Sequence, residues 1–279
     1  MTVLFDNGGN FPDMESAKAY VQGSSSSNTS AAYHQDRMRA LKILAEKIVY
    51  LKPMRVHNFG CGDSMEIKEL FYPAQMESIV GFDISSSMIE LSKENLKGYK
   101  FQGYCCGVEG MATLANNSID LFLAIDVLGY LSTTERDIYF SSLKRVAAEN
   151  AYLLVMTGNE LFDMYALNAG TAQFFDRHFE VDVSNLLTEA SASQYKPSAR
   201  RNPLSSSAEL MGYGFKEIDI AYSQWHLTPP GLGNKIGSNV AEARMLMRDH
   251  GYNPNNLAPN ERWKAMFRSS IFASLSQII

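Results

Sequence analysis

The segment HNFGCGDS, residues 57–64, sets Gly60 and Gly62 on either side of Cys61, and Asp83 follows 21 residues after Gly62. Glycines at this spacing leave no side chain between the backbone and a ligand. Where such a turn joins a strand to a helix, the helix N-terminus favours negative charge. A carboxylate at the end of the next strand accepts both hydroxyls of a ribose. Together these residues point to a ligand built on a nucleoside. A dinucleotide fingerprint needs a third glycine three residues after the second. Met65 holds that position, which weakens a dinucleotide reading. Two plainer readings stand beside this one. The glycines can make only a tight turn, and Asp83 can cap the helix after it, a duty that Ser85 or Ser86 can take instead.

The elements around these residues alternate. Apolar residues at Met38, Leu41, Leu44 and Ile48 fall at helical spacing, which predicts a helix over 32–50 ended by Pro53. MRVHNFG reads as a strand before the glycine turn and MEIKELFY as a helix after it. SIVGFDIS and SSMIELSKENL repeat the pair, and YKFQGYCC is a third strand. The apolar run in SIDLFLAIDVLGYL predicts a fourth strand buried on both faces. ERDIYFSSLKRVA is a helix and AYLLVMTG a fifth strand. Such alternation marks a doubly wound, mostly parallel α/β sheet. After Asn159 the pattern loosens. A helix over SSAELMGYGF, a strand over KEIDIAYSQWHL, a helix over NVAEARMLMRDHG and an amphipathic C-terminal helix over RWKAMFRSSIFASLSQII are expected. Residues 1–31, with the serine-rich GSSSSNTS, read as a flexible arm or lid. Residues 32–158 read as the binding core, and 159–279 as the rest of the sheet with a substrate cap.

Composition narrows the class. The 279 residues carry a net charge of −5, so the basic footprint of a nucleic-acid binder is absent. Three cysteines, two of them adjacent, make neither a disulfide framework nor a zinc site. No metal is expected. No charged-then-apolar leader opens the chain, and no apolar run has the roughly 18 residues of a membrane span. A reducing cytoplasm is the expected location.

Taken together, RVHNFGCGDS, IVGFDISSSMIELSKENL, NNSIDLFLAIDVLGYLS and AYLLVMTGN resemble, in order and spacing, the motifs of class I S-adenosylmethionine-dependent methyltransferases. The resemblance covers about residues 35–158 and implies a Rossmann-like sheet of seven strands with a helical or loop cap. It implies S-adenosylmethionine as cofactor and an enzyme that methylates a small molecule. By resemblance, backbone around Phe59, Gly60, Cys61 and Gly62 holds the methionine part, with Asn58 where the family carries an acid. Asp83 takes the ribose, while Ile84 and Met88 pack on the adenine. Gly107, Val108 and Glu109 meet its edge, and Ile125 lies beside the cofactor. Tyr33 is a lid contact and Arg37 a partner for the cofactor carboxylate.

The acceptor side rests on fewer residues. The fourth-strand motif of the family often ends in glutamate–histidine, and here Gly129–Tyr130 stands there. A histidine base at that place is excluded, and Tyr130 becomes a catalytic candidate together with His226. RNPLSSSAELMGYGFKEIDIAYSQWHLTPP resembles, more loosely, the late part of bacterial polysaccharide and natural-product sugar methyltransferases. That places Trp225 and His226 near the acceptor; ordering the turn before Pro229 is the structural alternative for His226. His34, His178 and Tyr165 complete the substrate candidates. A hydroxyl acceptor gains from a base as charge develops. The expected reaction is therefore methyl transfer to a sugar or natural-product oxygen. An amine acceptor and a non-catalytic S-adenosylmethionine-binding protein are the alternatives. No nucleic-acid or membrane partner is expected, and a homo-oligomer is possible.

Overall fold

The computed structural model describes residues 11, 13–25, 28–49, 52–162, 165, 176–177, 180, 200–226 and 254–279. The alternation read from the sequence is present. Strands β1 (Met54–Phe59), β2 (Met76–Asp83), β3 (Phe101–Cys105), β4 (Ile119–Ile125) and β5 (Ala147–Asn159) run parallel. Helices α3 (Met65–Leu70), α4 (Ser86–Asn95) and α5 (Thr133–Val146) connect them. Ser85 caps α4 by accepting from the Met88 N–H, as the sequence allowed. Ser132 and Glu135 close a reciprocal capping box on α5.

Late in the chain come β6 (Arg200–Arg201), α6 (Pro203–Gly212), β7 (Phe215–Trp225), α7 (Arg262–Arg268) and β8 (Ser269–Ile278). The sheet order is β3-β2-β1-β4-β5-β8-β7, with β6 paired to β5. β8 is antiparallel to both neighbours, so β7 points the same way as β5. The sheet has eight strands, not seven. The additional one is the two-residue β6, which pairs with Gly158 and Asn159 at the far end of β5.

Two other expectations differ from the structure. The C-terminal stretch is not one amphipathic helix: only Arg262–Arg268 is helical, and Ser269–Ile278 is a strand between β5 and β7. Its residues 271–276 are buried on both faces. Periodicity does not separate such an apolar run from a buried helix. The arm is not loose throughout, because Met14–Ser25 forms helix α1. The first long helix, α2, spans Asn28–Ala45 and ends before Pro53. The helix expected over NVAEARMLMRDHG lies outside the described residues.

The sheet separates two cores. Met38, Leu41 and Leu44 of α2 and Ile67 of α3 pack on one face with Leu121, Leu123, Leu154, Ala273 and Leu275. Tyr139, Phe140 and Leu143 of α5 and Leu210 of α6 pack on the other with Phe122, Ala124, Leu153 and Phe215. Successive residues of β4 thus serve opposite faces. Burying each of its large side chains contributes about 1.5–3 kcal/mol. A third, smaller cluster joins Phe11 and Ala17 to Met88 and Leu91, and so holds α1 against α4.

Candidate functional site

Strand order reverses between β1 and β4, and the carboxyl ends of the parallel strands form one edge of the sheet. Ligands of open α/β sheets bind at such a switch point. The glycine turn leaves β1 there. Gly60 has φ 62°, and a Cβ on it would come within 2.4 Å of Val127 Cγ2. Gly62 has φ 50° with open space where its Cβ would be. Glycine is required at both positions by conformation, and at Gly60 also by the close approach of the β4 loop.

The turn is fixed from beneath. Ser64 Oγ meets Ser92 Oγ at 2.8 Å, Ser92 Oγ donates to Gly62 O at 2.7 Å, and Asn95 Nδ2 donates to Asp63 O at 2.9 Å. Buried Asn58 donates to Ser64 Oγ at 3.4 Å, so its amide braces the turn. Cys61 points into the protein, where burial pushes its thiol up to about 12. Phe59 stacks on Tyr139 in the core, leaving its backbone as the part available to the site.

Three N–H groups of the turn, those of Cys61, Gly62 and Ser64, are used internally. Cys61 donates to Phe82 O at 2.9 Å, Gly62 to Asp83 Oδ2 at 2.9 Å, and Ser64 to Cys61 O at 2.8 Å. A phosphate cradle needs such N–H groups aimed at the ligand. Those three N–H groups are not aimed at a phosphate, and α3 has only six residues. The arrangement suits a nucleoside without phosphates.

Asp83 is half-buried at the end of β2, and each carboxylate oxygen accepts one N–H: Gly62 on Oδ2 and Ser85, at 2.8 Å, on Oδ1. A carboxylate has about four acceptor positions, so two remain for ribose hydroxyls. Burial raises its pKa, with the two N–H donors opposing the rise. Ile84, 48% exposed, follows it at the rim. Met88 is buried under α1 with Phe11. Across the rim, Val108 is buried, and exposed Glu109 accepts from the Gly107 N–H at 2.8 Å within its own loop. Half-buried Ile125 closes β4.

Asp126, next to Ile125, was not singled out by the sequence. It has φ 55°, and it pairs through a short contact with Arg37 of α2. Arg37, expected to meet a cofactor carboxylate, is thus held by a carboxylate of the protein, with its guanidinium 6.0 Å from the Tyr33 ring. Burial raises the Asp126 carboxyl, and Arg37 draws it back. Glu66 of α3 is raised the same way, again with Arg37 opposing. Tyr130, 57% exposed, and Tyr33 both have phenols raised first by burial and then by Asp126. An acid directly after a strand at this edge was the available signal.

The acceptor candidates divide. His34 bonds Glu69 at 2.7 Å on the outer side of α3. Trp225 and His226 end β7 on the same sheet edge as β4. Three strand spacings, roughly 14 Å, separate β7 from β4. The His226 ring lies 4.5 Å from Phe162, which follows β5, so the two meet across the start of β8. Tyr165 joins them by donating its hydroxyl to His226 O at 3.3 Å. His178 lies outside the described residues. No group of three histidine, cysteine or acidic residues able to hold a metal occurs among the described residues.

Residues 57–155 match a family model described as a methyltransferase domain. No curated protein matches the chain. Among solved structures, a SAM-dependent methyltransferase from Archaeoglobus fulgidus superposes with a TM-score of 0.52 at 14% identity, covering 92% of this chain and 99% of that one. Magnesium protoporphyrin IX methyltransferase of Synechocystis, with bound SAH, gives 0.52 at 13% identity, covering 94% and 93%. The cyclase SpnF gives 0.53 at 14%, covering 91% and 84%. The likenesses carry the fold, and the family match lies on the glycine turn, Asp83 and β4. Residues 57–155 thus match the methyltransferase-domain family, on a fold shared with S-adenosylmethionine-dependent methyltransferases.

Proposed function

We propose that the enzyme methylates a hydroxyl of a small molecule, on a sugar or natural product, and that His226 takes the proton. The observation that supports this is the position of His226: half-buried, packed on Phe162, and on the edge of the sheet that carries the glycine turn. S-adenosylmethionine supplies an electrophilic methyl and departs as S-adenosylhomocysteine. The rest of the work falls to the chain. Asp83 holds the ribose, and backbone at Phe59–Gly62 holds the methionine part. Ile84 and Val108 bound the adenine. As the acceptor oxygen forms its bond to carbon and the carbon–sulfur bond breaks, the acceptor proton passes to the imidazole. Tyr130, Tyr33 and Tyr165 border the path between the two ligands. In this reading residues 1–31 form an arm over the site, 32–158 the binding core and 159–279 the acceptor side. Free thiols at Cys61, Cys105 and Cys106 accord with a reducing cytoplasm.

The test is release of S-adenosylhomocysteine against a panel of hydroxyl and amine acceptors, with His226→Gln beside the parent protein. Loss of a general base lowers turnover by about 100-fold or more. Binding of the cofactor stays unchanged, because His226 faces the acceptor. Near-normal turnover in the variant refutes the assigned base and moves the reading to an amine that loses its proton to water.

A further inference from the structure

Asp126 is the first residue past β4, half-buried, with φ 55°. Its neighbour Val127 lies against the glycine turn, where a Cβ on Gly60 would meet Val127 Cγ2 at 2.4 Å. β1 runs between β2 and β4, so Asp83 and Asp126 stand at the ends of strands two spacings, roughly 10 Å, apart. A ribose held by Asp83, with its adenine towards Ile84 and Val108 on the β3 side, sends its 5′ carbon the other way. That direction crosses the glycine turn towards Asp126. The group on that carbon is the sulfonium.

The Asp126 carboxylate is used on one side and open on the other. Oδ2 accepts from the Arg37 guanidinium, and Oδ1 accepts no hydrogen bond from the described residues. Arg37 does not cancel the local charge. Its guanidinium also interacts with Glu66 of α3, so one cation serves two carboxylates and one negative charge is left over. Arg200 acts on Tyr33 and donates to Asn159 O at 3.2 Å. Phenols from three elements lie within reach of the Asp126 charge. Burial raises Tyr130 after β4, Tyr33 of α2 and Tyr20 of α1, and Asp126 adds to the rise in each. These phenols are therefore neutral and bring no further charge. Their rings offer the faces on which cations rest, as Arg37 already stands 6.0 Å from the ring of Tyr33. At a half-buried place such a charge is screened less than on the open surface.

We propose that Asp126 recognises the sulfonium charge of the cofactor, supported by Glu66 and by the rings of Tyr20, Tyr33 and Tyr130. The inference rests on S-adenosylmethionine as cofactor, and it adds what separates the cofactor from its spent form. Transfer moves the methyl carbon from sulfur to the acceptor oxygen, and the carbon–sulfur bonding pair stays on sulfur. Sulfur becomes neutral, while the acceptor proton leaves for the base. The attraction to Asp126 ends with that step, so the site grips S-adenosylmethionine and lets S-adenosylhomocysteine go. Because the charge on sulfur falls as the bond breaks, the contact serves affinity and not the rate of transfer.

Isothermal titration of the full chain tests this with S-adenosylmethionine, S-adenosylhomocysteine and sinefungin, which carries an ammonium in place of the sulfonium. The parent protein binds the two cations about tenfold more tightly than S-adenosylhomocysteine, the scale of one charge pair in a half-buried site. Asparagine tolerates a left-handed backbone, so Asp126→Asn removes the charge with little strain. It weakens both cations about tenfold and leaves S-adenosylhomocysteine within about twofold. Arg37→Gln removes the opposing charge and frees Oδ2, so it widens the preference for the cations. Any change in how the methionine carboxylate is held acts on all three ligands alike and cancels in the ratio. The two variants thus move the ratio in opposite directions, which a merely structural role does not do. If one variant does not fold, the other decides. A parent protein without preference for the cations, an Asp126→Asn variant that weakens all three ligands equally, or an Arg37→Gln variant with an unaltered ratio overturns the inference and leaves the cofactor standing. Failure of the parent protein to bind any of the three strikes the methyltransferase reading first.

Discussion

His57 stands in the middle of β1 with both ring nitrogens buried and unpartnered, its ring 4.7 Å from Phe82 in an edge contact. Desolvation lowers its pKa to about 3. The folded protein therefore holds His57 neutral, while the unfolded chain binds a proton below about 6.5. The stability contributed by this group is complete above the unfolded value and is lost as pH falls towards the folded one. Between those limits wild-type stability declines by up to about 1.4 kcal/mol per pH unit through this one group. His57→Leu removes that contribution, which urea unfolding at several pH values detects as a shallower acid slope. An unchanged slope shows that the imidazole finds a partner or water. Asp83 is the counterpart at the site. Asp83→Ala weakens binding of S-adenosylmethionine by about 2–3 kcal/mol in a titration, the scale of hydrogen bonds to a charged group. Because burial raises this carboxyl, the parent protein loses affinity on acidification at a higher pH than an ordinary carboxylate, and Asp83→Asn loses that dependence. The place of Asp83 at a strand end was legible in the sequence, because the apolar run before it marks the strand. Arg37 was only half legible: its helix was readable, but its partner Asp126 is 89 residues away.

At the scale of elements, α2 is fastened to the far edge of the sheet by Ser223 and above all by Gln224. Gln224 has φ 60° and is buried. Its N–H donates to Asp36 Oδ2 at 2.6 Å, and its side chain donates to Tyr33 O at 2.9 Å. Asp36→Ala strands a buried N–H, which costs about 1–3 kcal/mol. Thermal unfolding of the variant registers this as a lower midpoint, and an unaltered midpoint shows that water replaces the carboxylate. The side chain of the same glutamine also holds Tyr33 O, so the loss loosens this part of α2 as well. Strands β1 to β5 were readable because each is an apolar run punctuated by glycine or a capping serine. β8 was not, since its apolar residues face two cores and mimic a buried helix. β6 was invisible: two arginines make a strand only because the end of β5 extends past β4.

Across the whole molecule, the order of strands brings together residues that are remote in the chain. The glycine turn and Asp83 are close in sequence and could be read as a nucleoside site before any fold was known. The proposed acceptor side draws on the ends of β5 and β7, which meet only because β8 inserts between them. The central claim is that this edge binds S-adenosylmethionine and not a phosphate-bearing dinucleotide. Isothermal titration of the full chain tests it most directly. The account predicts saturable binding of S-adenosylmethionine and S-adenosylhomocysteine at one site per chain, and no measurable heat with NAD, because three N–H groups of the turn are already spent on Phe82, Asp83 and Cys61. Tight binding of NAD with no response to S-adenosylmethionine would contradict it.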